Sequence, residues 1–189
     1  MLLSSTHKTY YTLKWITLLN PVASSGDITV NVTDGTDAIS GASVVLTDSS
    51  SEDTTKSTDA NGEAVFDNVD PGTYTLSVSK SGYTTVTQTL VVVGDATIDV
   101  ELVPTRSCSF TIDDGAAEPA GISGAEVVFD DDTANKKTTG GAGGFTVTLA
   151  DGEHSAAITA TGYKDKTATI TVDSTHTSFT ISLEEEEGG

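Results

Sequence analysis

The stretch Asn61-Gly62-Glu63-Ala64-Val65-Phe66-Asp67-Asn68-Val69-Asp70-Pro71-Gly72-Thr73-Tyr74-Thr75-Leu76-Ser77-Val78 decides the fold. Its apolar residues recur at every second position: Ala64 and Phe66 in one run, Tyr74, Leu76 and Val78 in the next. Side chains of an extended chain point alternately to opposite faces, so each run buries one face. Asn61-Gly62 and Asp70-Pro71-Gly72 punctuate the runs. Glycine supplies the positive φ that tight turns demand, and proline presets φ for a turn's second residue. Two short strands with turns at Asn61-Gly62 and Asp70-Pro71-Gly72 satisfy all of this.

The same grammar extends outward. Upstream, Ile28, Val30 and Val32 alternate with polar residues up to Asp34-Gly35, and Ala42, Val44 and Leu46 follow Ile39-Ser40-Gly41. Downstream come Gly82-Tyr83 and then Ile98, Val100 and Leu102. No stretch has the period of a long amphipathic helix. The spacing predicts about seven short strands, as a Greek-key sandwich requires.

The pattern then recurs about 80 residues later, the mark of a tandem repeat. Cys108, Phe110 and Ile112 with Asp114-Gly115 match Ile28, Val30 and Val32 with Asp34-Gly35. Ile122-Ser123-Gly124-Ala125 matches Ile39-Ser40-Gly41-Ala42, after a loop three residues longer. Gly143, Phe145 and Val147 match Gly62, Ala64 and Phe66; Gly152, His154, Ala156 and Ile158 match Gly72, Tyr74, Leu76 and Val78. Gly162-Tyr163 repeats Gly82-Tyr83, and Phe179, Ile181 and Leu183 repeat the last strand. The chain therefore divides into an arm, residues 1–25, a first module, 26–104, a second, 105–183, and an acidic tail, 184–189. Pro104-Thr105-Arg106 is a very short linker, so the modules are expected end to end with limited flexing.

These motifs resemble a known group. Ser40-Gly41-Ala42-x-Val44, Thr58-Asp59-Ala60-Asn61-Gly62, Val69-x-Pro71-Gly72-x-Tyr74-x-Leu76 and Gly82-Tyr83 are similar to the carboxypeptidase regulatory-like and collagen-adhesin B-type modules. The resemblance implies prealbumin-like, Ig-like seven-stranded sandwiches. It covers residues 27–103 closely and 107–183 more loosely, since Asp151-Gly152-Glu153-His154 replaces the Pro-Gly-x-Tyr form. It implies a fold, while such modules serve as accessories on enzymes, adhesins and virus structural proteins. Adhesin modules of this type often carry a Lys–Asn isopeptide cross-link. No Lys occurs between Gly26 and Thr55 or between Ser107 and Asn135, and no Asn lies near either last strand, so that cross-link is not expected.

Charge is strongly one-sided, with 28 acidic residues against 9 Lys and Arg. The first module holds thirteen acids against two lysines, the second eleven against five cations, and Glu184 to Glu187 add four. Such a body repels nucleic acid and anionic membranes, which need clustered cations. It suits an exposed, crowded surface, or a salt-loving host. The arm is the exception: residues 1–25 contain Lys8 and Lys14 and no acid.

Catalytic signals are scarce. His7, His154 and His176 stand apart, with no partner at metal-ligand or nucleophile spacing. His154 occupies the place of Tyr74 and is expected half-buried in a strand. Cys108 is the single cysteine, on an apolar strand position, and reads as core. The run Gly140-Gly141-Ala142-Gly143-Gly144 is a strand connection rather than a phosphate loop. Asp130, Asp131 and Asp132 at a strand end, with Asp113 or Asp114 nearby, are the candidates for Ca²⁺, though they lack EF-hand spacing. No other cofactor is expected, and the chain reads as a non-enzyme.

The arm holds the only Trp. Leu13, Trp15, Thr17 and Leu19 alternate as in a strand, and Lys14 breaks up what would otherwise resemble a leader. No run approaches the roughly 18 apolar residues of a membrane span. Tyr10, Tyr11, Leu13, Trp15, Ile16, Leu18 and Leu19 are therefore the expected assembly anchor, by addition to a neighbour's sheet edge or insertion into a groove. The sequence thus points first to a virion structural protein: a capsid decoration, turret, head fibre or tail-associated subunit. It would attach to other subunits through residues 1–25, form homo-oligomers and project its modules outward, with host glycans as possible ligands. The alternative is a secreted cell-surface adhesin, filament or matrix protein, processed near Ala23-Ser24-Ser25 or using the arm as a donor strand.

Overall fold

The computed structural model describes residues 23–186, and among these the regular structure is β apart from one turn of 3-10 helix at Thr133–Asn135. Seven strands form the first module: β1 (Gly26–Thr33), β2 (Ser43–Thr47), β3 (Asp53–Ser57), β4 (Glu63–Val69), β5 (Gly72–Ser79), β6 (Val86–Val92) and β7 (Ala96–Glu101). They make two sheets, one ordered β4-β1-β7 and one β3-β2-β5-β6. The chain is all-β, a pair of sandwiches, as the alternation predicts.

The second module repeats this strand for strand, with β8 (Thr105–Asp113), β9 (Glu126–Phe129), β10 (Lys137–Thr138), β11 (Gly144–Ala150), β12 (Gly152–Thr159), β13 (Lys166–Val172) and β14 (Ser178–Ser182). Its sheets are ordered β11-β8-β14 and β10-β9-β12-β13. In both modules the first and last strands run parallel and their other neighbours antiparallel. The register matches too: Phe66 lies opposite Ile28 and Ala64 opposite Val30, as Val147 lies opposite Cys108 and Phe145 opposite Phe110.

Each module has its own core. Ile28, Val30, Val32, Val44, Leu76 and Val78 are fully buried in the first, and Cys108, Ile112, Val127 and Ala156 in the second. Burying one such Val, Leu, Ile or Phe side chain contributes about 1.5–3 kcal/mol, so the alternating faces are what drive the two sheets together. The cores are filled differently. Phe110 packs against Phe129, Phe145 and Phe179 with ring centroids 5.0, 5.1 and 5.0 Å away, whereas the first module relies on Phe66 and aliphatic residues.

Two buried threonines tie the loops to the cores. Thr58 Oγ1 donates to the Ile39 carbonyl at 2.6 Å and accepts from the Ala42 amide at 2.8 Å. Thr139 repeats this with the Ile122 carbonyl at 2.6 Å and the Ala125 amide at 2.9 Å. Gly62 and Gly143 allow it, with φ of 78° and 72°; a Cβ on either would sit 2.5 Å from the Val32 carbonyl oxygen or 2.2 Å from that of Ile112.

The linker is tighter than its sequence suggests. β8 already begins at Thr105, which leaves only Leu102, Val103 and Pro104 outside the strands, and Leu102 is fully buried. Thr105-Arg106-Ser107 is polar, so nothing in the apolar pattern marks it as strand. The start of the acidic tail is likewise held to the fold: Glu185 bridges to Tyr163, and Glu186 donates its amide to the Gly162 carbonyl at 2.9 Å.

Candidate functional site

Three places combine polar groups with shape: the joint between the modules, a groove on the first module, and the aspartate loop of the second. The joint is made by backbone as well as side chains. The Thr84 amide donates to the Val103 carbonyl at 2.8 Å, and the Thr105 amide to the Gly82 carbonyl at 2.7 Å. The Asp151 amide, from the β11–β12 turn, donates to the Pro104 carbonyl at 2.8 Å. Arg106 then grips the Asp151 carboxylate with two prongs, Nε to Oδ1 at 2.7 Å and a terminal guanidinium nitrogen to Oδ2 at 2.8 Å. That hydrogen-bonded pairing raises the Arg106 pKa further above its already high ordinary value. A bidentate fork fixes orientation as well as distance.

The groove lies between β3 and β4, which among the described residues are edge strands of the two sheets of the first module. Leu46, Phe66 and Tyr74 contribute to its floor and wall, and Glu52, Asp67 and Asp70 bring acid, around a cavity of about 370 Å³. Every residue of β3 is exposed. Asp48, also in the lining, is committed to its own turn, accepting from the amides of Ser50 and Glu52 at 2.8 and 2.9 Å. At the rim, Ser25 Oγ donates to Asp70 Oδ1 at 3.2 Å and Tyr74 donates its hydroxyl to the Asp70 carbonyl at 3.0 Å. The arm thus joins the module at the edge of this groove. The anchor residues Tyr10, Tyr11, Leu13, Trp15, Ile16, Leu18 and Leu19 lie outside the described residues.

The aspartate loop is turn machinery. Asp130 and Asp131 take positive φ of 50° and 61°. Asp130 Oδ1 accepts from the Ser155 amide at 2.9 Å, and Oδ2 lies 2.6 Å from His154 Nδ1. Asp132 caps the 3-10 turn, accepting from the Ala134 amide at 3.1 Å and the Asn135 side chain at 2.7 Å. Asp113 and Asp114 accept from amides of their own loop. Among the described residues no three His, Cys, Asp or Glu side chains gather closely enough to hold a metal ion.

His154 is where spacing in the sequence was uninformative. Its side chain is 12% exposed, and its Nε2 lies 2.8 Å from the Ala150 carbonyl. Burial draws its pKa down, but hydrogen bonding to Asp130, then to Ala150, and the nearby carboxylate charge outweigh burial and raise it. Asp130 moves the other way, lowered chiefly by the His154 hydrogen bond. The two residues are 24 apart in sequence, and strand pairing between β9 and β12 brings them together. Cys108 is fully buried, and burial raises its thiol pKa. No helix among the described residues is long and apolar enough to cross a membrane.

A pair of seven-stranded β-sandwiches joined by a short, hydrogen-bonded linker defines the class of protein. Residues 27–103 match the family model of the carboxypeptidase regulatory-like domain, so the first module shows that family's pattern over nearly its whole length. No curated protein matches the chain. Among solved structures, the minor pilin GBS52 of Streptococcus agalactiae is similar at 14% identity and TM-score 0.49, covering 87% of this chain and 98% of its own. A streptococcal ancillary pilin is 20% identical with TM-score 0.44, over 86% of this chain and 62% of its own. The Bacillus anthracis TIE protein is 15% identical with TM-score 0.40, over 86% of this chain, which spans 34% of that protein.

Proposed function

We propose that the chain is a non-enzymatic structural subunit of an extracellular assembly of the cell-surface adhesin or filament kind, attached through residues 1–25 and spaced outward by its two modules. The observation that supports a spacing role is the joint. Two backbone bonds hold the linker to the Gly82–Thr84 turn, a third ties it to the second module, and the Arg106–Asp151 fork adds to them. A flexible tether would need none of these. Residue types favour an exposed place as well: both modules carry a large excess of acid, which keeps a crowded surface soluble.

The virion surface is the second reading, and the charge of residues 1–25, which carry Lys8 and Lys14 and no acid beside strongly acidic modules, favours it because it suits docking between subunits. The two are separated by intact mass and N-terminal sequence of the protein recovered from its native source, fraction by fraction. The cell-surface reading expects it in material sheared from cells, either cut near Ala23-Ser24-Ser25 or with the arm retained as a donor strand. Recovery in purified virus particles with an uncut arm would overturn that reading in favour of the virion.

A further inference from the structure

We propose that two copies of the chain pair edge to edge through β6, antiparallel about a two-fold axis at Thr89, and so form one sheet of eight strands. This goes beyond the surface-subunit reading, because pairing in solution stands or falls whichever surface carries the protein.

An edge strand offers a row of unpaired peptide groups, and proteins guard such rows with charge, proline, bulges or short length. β6 has none of these guards. It pairs with β5 residue for residue, from Gly72 opposite Val92 to Val78 opposite Val86, without a bulge. Among the described residues β5 is its only strand partner. The fourteen residues Ser81 to Gly94 carry no charge and no proline, in a chain with 28 acids and 9 Lys and Arg. Leu90 and Val92 face the core, while Val91 and Val93 are 62% and 65% exposed, the most exposed large apolar side chains among the described residues.

The other edges of the first module are guarded. β3 carries Asp53 and Lys56, β4 carries Glu63 and Asp67, and β7 carries Asp99 and Glu101. The second module guards the equivalent edge as well. Its β13 repeats β6 with Lys166 in place of Val86, Thr171 in place of Val91 and Asp173 in place of Val93. Its uncharged edge strands, β11 and β14, leave no large apolar side chain exposed.

Charge also selects the occupant. Two chains this acidic repel each other except where they meet along uncharged surface, and β6 offers a charged partner no counter-charge. A strand that meets its own copy about a two-fold axis makes an isologous, closed contact. About Thr89 all seven residues of β6 overlap: Val86 lies opposite Val92, Thr87 opposite Val91, Gln88 opposite Leu90, and Thr89 opposite itself. Thr87 and Val91 thus meet on the outer face as a β-branched cross-strand pair. The same pairing of β13 about Thr169 would set Asp165 opposite Asp173, like charges that oppose it.

Sedimentation of the full chain over a range of concentrations tests this. A monomer–dimer equilibrium is expected, tightening as salt screens the acidic bodies, and hydrogen exchange of β6 amides should slow several-fold as the dimer forms. Thr89→Lys, at an exposed position, sets two lysines opposite each other and should abolish the dimer with an unchanged circular dichroism spectrum. Thr89→Glu should do the same, and mixing the two variants should restore pairing, since lysine then faces glutamate. Thr169→Lys in β13 should leave the dimer intact. A monomer at every concentration, a dimer that survives Thr89→Lys, a mixture of the two variants that stays monomeric, or larger open-ended assemblies would each overturn the proposal. So would slow β6 exchange that is independent of concentration, which would mean that the edge is covered within one chain.

Discussion

His154 and Asp130 meet across the β9–β12 pair with Nδ1 2.6 Å from Oδ2, while His154 Nε2 lies 2.8 Å from the Ala150 carbonyl. Both neighbours are acceptors. Neutral imidazole has one N–H and can donate to only one of them, whereas imidazolium donates to both. The geometry therefore selects the charged ring, in agreement with the raised pKa.

A pH dependence of known sign follows. The folded pKa of His154 lies above the unfolded value of about 6.5, so its stabilisation is complete below that value and is lost as pH rises through the folded pKa. Asp130 is lowered from 3.8, so its share is present above that value and fades as pH falls through the depressed one. Urea titrations from pH 6 to above the His154 transition should show the second module losing about 1 kcal/mol, the scale of a partly exposed charge-assisted hydrogen bond. His154→Tyr, which restores the residue type found at Tyr74, should flatten this dependence. A slope unchanged in that variant would assign it to another group.

This pair also shows where reading the sequence stops. Period-two alternation placed Ile28, Val30, Phe110 and Ile112 inside, because one strand face is a local property that needs no knowledge of partners. Turn glycines were legible for the same reason. The meeting of His154 with Asp130 depends on which strands pair and in what register, and no spacing along the chain encodes it. Thr58 stood within a recognisable motif, yet Thr139 did not, since a buried hydroxyl looks like any other threonine until its acceptor is known. The groove was invisible because β3 and β4, though consecutive in the chain, lie at the edges of different sheets, and alternation does not tell which sheet a strand joins.

Thr58 and Thr139 support a matched experiment. Thr→Val keeps the shape but leaves a buried carbonyl and a buried amide without their hydroxyl partner. Each substitution should cost about 1–3 kcal/mol, Thr58→Val in the first module and Thr139→Val in the second. Chemical denaturation followed by Phe and Tyr signals, with hydrogen exchange to place the loss, checks which module weakens. Loss of protection in both modules from either variant would refute their independence.

Gly143 and Gly162 share a left-handed conformation, with φ of 72° and 85°, but differ in what surrounds them. A Cβ at Gly162 meets nothing within 4 Å, so Gly162→Ala carries only the conformational cost of about 1–2 kcal/mol. At Gly143 the Cβ would lie 2.2 Å from the Ile112 carbonyl oxygen and 2.8 Å from Gly121. Gly143→Ala must displace backbone and should cost clearly more, with loss of the turn that brings Thr139 to Ile122. Equal melting temperatures for the two variants would mean that the loop yields without resistance.

Arg106 and Asp151 make the last prediction, about the joint. Arg106→Lys keeps the charge but replaces a planar fork with a point donor, which cannot hold both carboxylate oxygens. Arg106→Ala removes the grip altogether. Neither touches the backbone bonds from Asp151 to Pro104 and from Thr105 to Gly82, so the modules should stay folded while the linker opens more often. Limited proteolysis of the full chain should cut between Val103 and Ser107 several-fold faster in Arg106→Ala, with Arg106→Lys in between and Asp151→Asn close to Arg106→Ala. High salt should accelerate cutting of the native chain less than the substitutions do, because a bidentate, partly buried pair is screened less than a free surface pair. If all four proteins are cut at the same rate, the backbone bonds alone hold the joint, and the stiffness that supports a spacing role owes nothing to the ion pair.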